Sequence, residues 1–306
     1  MDIIQRLQSL PVECRREILL FAFKSPHTGL GVGLLKNKLK DYYLNIPDND
    51  KDVILFDKDT ISFDEHEHQY ESTVIDIYLL TCFYNLEKID LSDTRVRGDI
   101  ENLKSLQKLS WIDLYKTFVN GNIKNLSSHL NLTNICLNST DVTGDISHLS
   151  LLRNLIEISM TNTDVNGDIV HLKPLHSLTF LCLGETRVTG DIIHLKSLQN
   201  LNIIILSSTG VTGNIVDLKS LQNLNQFSLS NTGVTGNIVD LKSLKNLNQF
   251  SLSNTGVTGN IVDLKSQQNL TYIELNNTNV TGNIVDLKSL QNLTYIELNN
   301  ECHWKD

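Results

Sequence analysis

The sequence predicts a solenoid of the α/β type, mainly β and coil. Three observations carry that prediction. Glycine recurs every 23 residues at 98, 121, 144, 167, 190, 213, 236, 259 and 282, with no insertion or deletion. Leucine or another apolar residue recurs in the same register at several positions per repeat. No coil can bury its apolar side alone, so the repeats must stack to make a continuous core.

One repeat, Leu201 to Asn223, reads LNIIILSSTGVTGNIVDLKSLQN. Ile203 to Ser207 suits a short strand, with Ile204 and Leu206 facing inward. Equivalent strands, stacked in parallel about 4.8 Å apart, form one long sheet. Val211-x-Gly213-x-Ile215 alternates and suggests a second short strand on a neighbouring flank. Leu218 and its equivalents line the return path, where turns or short 3₁₀ pieces fit better than long helices.

Threonine holds one column through nine coils: Thr94, Thr117, Thr140, Thr163, Thr186, Thr209, Thr232, Thr255 and Thr278. A hydroxyl both donates and accepts, so a stacked threonine ladder is expected to satisfy turn backbone groups from coil to coil. The glycine column is expected at a tight bend or a close approach of neighbouring coils. Two coils place a polar residue in a leucine column, His129 and Gln267, read as local surface adjustments, with Leu130 substituting for the first.

These columns resemble the leucine-rich repeat, and most closely its plant-specific subtype. Leu198-x-x-Leu201-x-x-Ile204-x-Leu206-x-x-Thr209-x-Val211-x-Gly213-x-Ile215 follows that pattern over roughly residues 83–300. The chain departs from it in carrying threonine for asparagine, in lacking the proline after the isoleucine, and in a period of 23 rather than 24. The resemblance implies a right-handed curved array with a concave parallel sheet, a short second sheet on a flank, and partners bound on the concave face. Domains follow as a mostly helical N-terminal cap with an acidic loop over 1–82, ten coils over 83–300 with the last incomplete, and a short tail over 301–306.

On that face the candidate partner-binding residues are Trp111, Asp113, Tyr115, Ile156, Phe180, Cys182, Ile203, Ile205, Tyr272, Glu274, Tyr295 and Glu297. Phe180, Ile203 and Ile205, with Ile156 and Cys182, form an apolar patch at mid-array. The later coils are near copies: 211–233 recurs at 234–256 with one change, Gln222 to Lys245. Such surfaces suit a repetitive ligand or a duplicated scaffold.

The formal net charge is -9, and the whole of it sits in residues 41–76, which hold eleven acids against Lys51 and Lys58. The array is therefore no charged funnel for nucleic acid or an anionic membrane. No phosphate loop, zinc-protease motif or nucleophile elbow occurs, so the chain reads as non-catalytic, without cofactor or metal. His148, His171 and His194 share a column but read as solvent-facing. Asp64 to His68 reads as loop. Five scattered cysteines, with no basic-then-apolar start, point to free thiols and a cytoplasmic chain, while secretion of a trimmed chain stays open. Sequons at Asn131, Asn269 and Asn292 are explained by the repeat itself.

Residues 1–24 read as helix broken at Pro11, and Leu10-Pro11-Val12-Glu13 to Ile18-Leu19 resembles the start of an F-box. That implies an alternative role as a ubiquitin-ligase substrate receptor; a third reading is a structural repeat protein without one defined ligand. The thin C-terminal cap leaves end-to-end self-association open. The leading expectation is a non-catalytic scaffold for an unidentified protein partner.

Overall fold

The structure, a computed structural model, describes residues 54–57, 60–63, 76–82, 86–298 and 301–304. The expected N-terminal helices, the F-box-like start and most of the acidic stretch, Asp64 to His68 included, lie outside the described residues. The chain divides into two compact units, Met1–Val142 and Thr143–Asp306. Among the described residues, each is a leucine-rich-repeat-type solenoid with two parallel sheets joined by short 3₁₀ turns.

In the first unit, strands Lys88–Asp90, Trp111–Asp113 and Asn134–Cys136 pair in parallel, with every central isoleucine in register. An antiparallel hairpin, Ile54–Asp57 with Thr60–Phe63, precedes them and pairs in parallel on Lys88–Asp90. Arg97–Asp99 and Phe118–Asn122 make the second sheet.

The second unit repeats the design over more coils. Its first sheet runs from Glu157–Ser159 to Tyr295–Leu298 in unbroken parallel register. Glu301–Trp304 then folds back antiparallel on Tyr295–Leu298, so the thinly capped last strand has a backbone partner. The second sheet runs from Asp164–Asp168 to Asn279–Thr281.

The first-sheet strand covers three residues in most coils, shorter than the expected Ile203–Ser207. The cause is a left-handed residue just ahead of each threonine, from Asp93 to Asn277, at φ between 50 and 57°. It turns the chain off the sheet. All nine threonine hydroxyls then donate to the carbonyl three residues back in their own coil, at 2.6 or 2.7 Å. The column thus closes each turn within its coil rather than bonding coil to coil. Coil-to-coil bonds come from asparagines instead: Asn277 donates to Asn254, and Asn254 to Asn231, at 2.7 and 2.8 Å.

The glycine column has a cause in both directions of the chain. Its φ lies between 103 and 122°, a region L side chains rarely adopt. In Gly121, Gly167, Gly190, Gly213, Gly236 and Gly259 an added Cβ would also overlap the Asp or Asn oxygen of the preceding coil. That oxygen has its own task. Asp99, Asp145, Asp168, Asp191, Asn214 and their equivalents are N-caps, accepting the N–H two residues on at the start of the 3₁₀ turn.

The core is a stack of Leu, Ile and Val columns at or near zero exposure, with Phe227 and Phe250 stacked inside it at 5.6 Å. His129 and Gln267 correct the surface reading given to them: both are buried, at 0% and 3% exposure, while Leu130 is 57% exposed. Each keeps its place in the leucine column by bonding carbonyls. The His129 ring nitrogens face Leu126 O at 3.2 Å and Leu103 O at 3.0 Å. The Gln267 amide donates to Leu241 O at 2.5 Å and Leu244 O at 3.2 Å.

Both carbonyls at Gln267 also accept backbone N–H groups, from Leu244 and Leu247. Gln267→Leu therefore strands no acceptor and restores the apolar column. It is expected to raise stability by about 1 kcal/mol, whereas Gln267→Ala, which opens a void, lowers it by about 1–3 kcal/mol. Urea unfolding followed by circular dichroism measures both; a loss with leucine would show that the amide is needed.

Candidate functional site

The outer face of the first sheet carries the variable residues, because the strand places Ile89, Ile112 and their equivalents inward and the residues on either side outward. In the first unit this face holds Trp111, 36% exposed, beside half-buried Asp113. Asp113 pairs in register with Asp90 and accepts the Tyr115 N–H at 3.0 Å. Burial pushes its carboxyl above the ordinary value, helped by the nearby charges of Asp90 and Asp93. The Tyr115 N–H and a Cys136 side-chain bond pull the other way. Lys116 stands over the Tyr115 ring at 4.7 Å and reaches Asp93 at 3.7 Å, an exposed contact.

In the second unit, Phe180 and Ile203 are register partners, as are Cys182 and Ile205. All four are half-buried, so these apolar residues singled out from sequence do come together, while exposed Ile156 meets the Phe180 strand through its backbone, its carbonyl accepting the Phe180 N–H at 3.1 Å. Burial pushes the Cys182 thiol up, and its sulfur lies 2.9 Å from Thr161 Oγ1. A thiol held protonated is a poor nucleophile. Cys136 and Cys182 carry no disulfide.

Toward the end of the same sheet, Tyr272 and Tyr295 stack with centroids 4.5 Å apart and planes within 11°. Each tyrosyl hydroxyl donates to the glutamate two residues on, Tyr295 to Glu297 at 2.7 Å and Tyr272 to Glu274. Ser251 also donates to Glu274, at 2.5 Å, and is itself bonded to Ser230. Sequence reading named the tyrosines and glutamates and placed Ser251 on the outward face, but counted neither Ser251 nor Ser230 among the site residues. The two-residue spacing of the outward positions was the available signal.

A polar groove in the second unit is lined by Asn200, Asn202, Asn223, Asn225, Asn246, Asn248, Asn269 and Thr179. Most of its amides already donate to backbone carbonyls of neighbouring coils, as in Asn223 to Gln199 O and Asn225 to Asn246 O. The groove is a seam of the stack. The sequon residues Asn131, Asn269 and Asn292 belong to the same bonding pattern. Among the described residues no group of three or more His, Cys, Asp or Glu can hold a metal ion, and no helix is long and apolar enough to cross a membrane.

Asp113 provides a pH test. Its raised pKa means the folded chain holds the proton more readily than the unfolded one. Ionising it therefore costs stability, and the cost grows as pH rises from the ordinary aspartate value of 3.8 through the folded value. Asp113→Asn is expected to raise the melting temperature at pH 7 and to lose that advantage below the ordinary value. An advantage equal at both pH extremes would contradict the burial argument.

No family model matches the chain, and no curated protein sequence matches it. Solved structures do. The ectodomain of the Arabidopsis receptor kinase HAESA, with a bound peptide hormone, superposes at TM-score 0.63 and 22% identity over 75% of this chain and 42% of that one. An internalin from Listeria monocytogenes gives 0.59 and 20%, over 79% and 74%. A plant ice-binding protein gives 0.62 and 17%, over 89% and 90%. The chain spans less than half of the plant receptor chains, 46% of a peptide hormone receptor and 42% of the HAESA ectodomain. These findings overturn the cytoplasmic placement read from the N-terminus and the cysteines: chains of this fold include ectodomains of plant membrane receptor kinases. At such identities the likeness is one of fold, and that fold, found in plant and bacterial proteins alike, is the leucine-rich repeat.

Proposed function

We propose that this chain is a non-catalytic binding scaffold of the plant-specific repeat subtype, with threonine in the asparagine position, and that it takes a protein or peptide partner on the outer face of its first sheet. The observation that carries this reading is the apolar cluster of Phe180, Ile203 and Ile205. Its members adjoin on neighbouring strands and keep part of their surface in water. A solenoid has no internal need for apolar groups at outward positions, and the equivalent places two coils on are Gln249 and Ser251. Apolar residues clustered on an otherwise polar face mark an interface. The peptide held by the HAESA ectodomain and the hormone bound to another plant receptor show what the fold accommodates elsewhere. Trp111, Asp113 and Tyr115 form a further part of the binding face in the first unit. No observation among the described residues favours a ubiquitin-ligase role.

The test is selection of displayed peptides on the full chain, repeated with Ile203→Ser and Ile205→Ser together. Recovered peptides are expected to bind the variant at least about tenfold more weakly, the equivalent of about 1.4 kcal/mol. Unchanged affinity would remove the apolar cluster from the site.

A second reading has its own observation. From Gly210 to Asn260 the outward positions of the second sheet are uncharged in three successive coils, each Gly, Thr, Asn. The residues are small and repeat at constant strand spacing, which suits a periodic ligand. The plant ice-binding protein matches this chain over nearly its whole length. Freezing-point hysteresis, measured with and without Thr212→Lys and Thr235→Lys, tests ice as that ligand. Hysteresis lost in the variant supports it, and none in the unaltered chain excludes it.

A further inference from the structure

The polar groove of the second unit holds more asparagine than the stack requires. Its outer column, Asn200, Asn223, Asn246 and Asn269, serves the scaffold, each amide donating to a carbonyl of the preceding coil at 2.9 to 3.1 Å. Its inner column, Asn202, Asn225 and Asn248, does not recur through the array. Other coils place Thr133, Thr179, Thr271 and Thr294 there, and those hydroxyls donate to the carbonyl 23 residues earlier. The three asparagines reverse the direction. Each donates to a main-chain carbonyl of the next coil, that of Asn223, Asn246 or Asn269, at 3.0 Å. Threonine thus meets the backbone's need at this place, and the three successive asparagines coincide with the groove.

The forward bond uses one hydrogen of each inner amide and leaves the second hydrogen and the oxygen. Among the described residues no donor reaches Oδ1 of Asn202 or Asn225, while Asn248 Oδ1 accepts from Thr271 at 2.7 Å. Each inner amide is fixed by its nitrogen, so what it offers is held in place and repeats at strand spacing, about 4.8 Å. The groove encloses about 610 Å³, inside the about 300–1,000 Å³ of small-molecule sites. Its lining is asparagine and Thr179, with no ionisable side chain.

These properties select the ligand. A phosphate chain or an acidic glycan would find no counter-charge in the groove. An extended peptide repeats its same-side groups every two residues, about 6.6–6.8 Å, and falls out of step with the coils. A hydroxyl donates and accepts at one atom, as a free amide edge does. A straight, β-linked chain of neutral hexoses advances by about one coil spacing per sugar and presents hydroxyls at every step. We infer that this groove binds a neutral β-linked oligosaccharide, one sugar per coil, whose hydroxyls bond the free amide edges of Asn202 and Asn225 and the remaining N–H of Asn248. From Asn200 to Asn269 the groove runs three coil steps, about 14 Å, the length of about three or four sugars. The site is separate from the apolar cluster, since neither Phe180 nor Ile203 nor Ile205 lines it.

The probe is a series of cello-oligosaccharides of two to six glucose units, titrated into the full chain and followed by NMR of the asparagine side-chain amides. The dissociation constant is expected to fall at least about tenfold from two units to four and to level off beyond. Malto-oligosaccharides of the same lengths, α-linked and curled, are expected to show no such gain. The triple variant Asn202→Thr, Asn225→Thr, Asn248→Thr places the residue of other coils at each position, so its circular dichroism spectrum is expected to stay the same while four-unit binding weakens at least about tenfold. The length dependence is read on the unaltered chain, so a folding defect in the variant cannot produce it. No amide shift with any cello-oligosaccharide, an affinity independent of length, equal gains with the α-linked series, or unchanged binding by the triple variant would each overturn the inference. None of these outcomes bears on the apolar cluster, which the displayed-peptide test addresses by itself.

Discussion

The structure depends on one steric relation between neighbouring coils. The capping Asp or Asn at the start of a 3₁₀ turn puts its oxygen where the Cβ of the next coil's second-sheet residue would stand. Only glycine leaves that space open, and only glycine adopts the accompanying φ above 100° without strain. The glycine of one coil thus makes room for the cap of the coil before it. An inserted or deleted residue would move a Cβ against that cap, or leave a cap with no glycine to accommodate it. The constant 23-residue step follows from this contact as much as from the leucine columns.

With coil spacing set in this way, three further polar columns answer to local backbone needs. The left-handed residue ahead of the threonine turns the chain off the sheet, and the hydroxyl then satisfies the carbonyl of its own coil. The capping residue satisfies the first free N–H of the 3₁₀ turn. The asparagine amides satisfy carbonyls across the seam between coils. The threonine, capping and seam-asparagine columns therefore each have an assigned bond, and repetition in them signals scaffold rather than chemistry. The outward first-sheet positions, by contrast, differ from coil to coil.

The apolar columns and the glycine register were legible in the sequence because burial and backbone strain act on single positions and recur at a fixed interval. The threonine column was legible as structural, but its bond direction was not. A hydroxyl can serve its own coil or the next, and only the left-handed turn decides. The Asp/Asn cap after each glycine was passed over, although Gly-Asp-Ile and Gly-Asn-Ile carry the usual signal of a capping residue before an apolar run. His129 and Gln267 were misread because polarity suggested exposure. A buried polar side chain is tolerated where carbonyls lie within reach, and carbonyls of the preceding coil are near every position of a solenoid core.

The candidate site was legible in part for the same reason. Alternation identifies which residues face outward, so the sequence alone groups Phe180, Ile203 and Ile205. It could not show that Tyr272 and Tyr295 stack or that their hydroxyls fix the two glutamates, since those contacts depend on rotamers that the repeat leaves free. The near-identity of the last coils suggested that they carry little information. Their side chains argue otherwise: duplication is what sets Glu274 beside Glu297 and Tyr272 against Tyr295. A single copy of Tyr-x-Glu on a strand is an ordinary surface residue pair. Two copies at strand spacing concentrate negative charge against aromatic surface, so repetition that encodes nothing new in sequence creates a property that no one coil has.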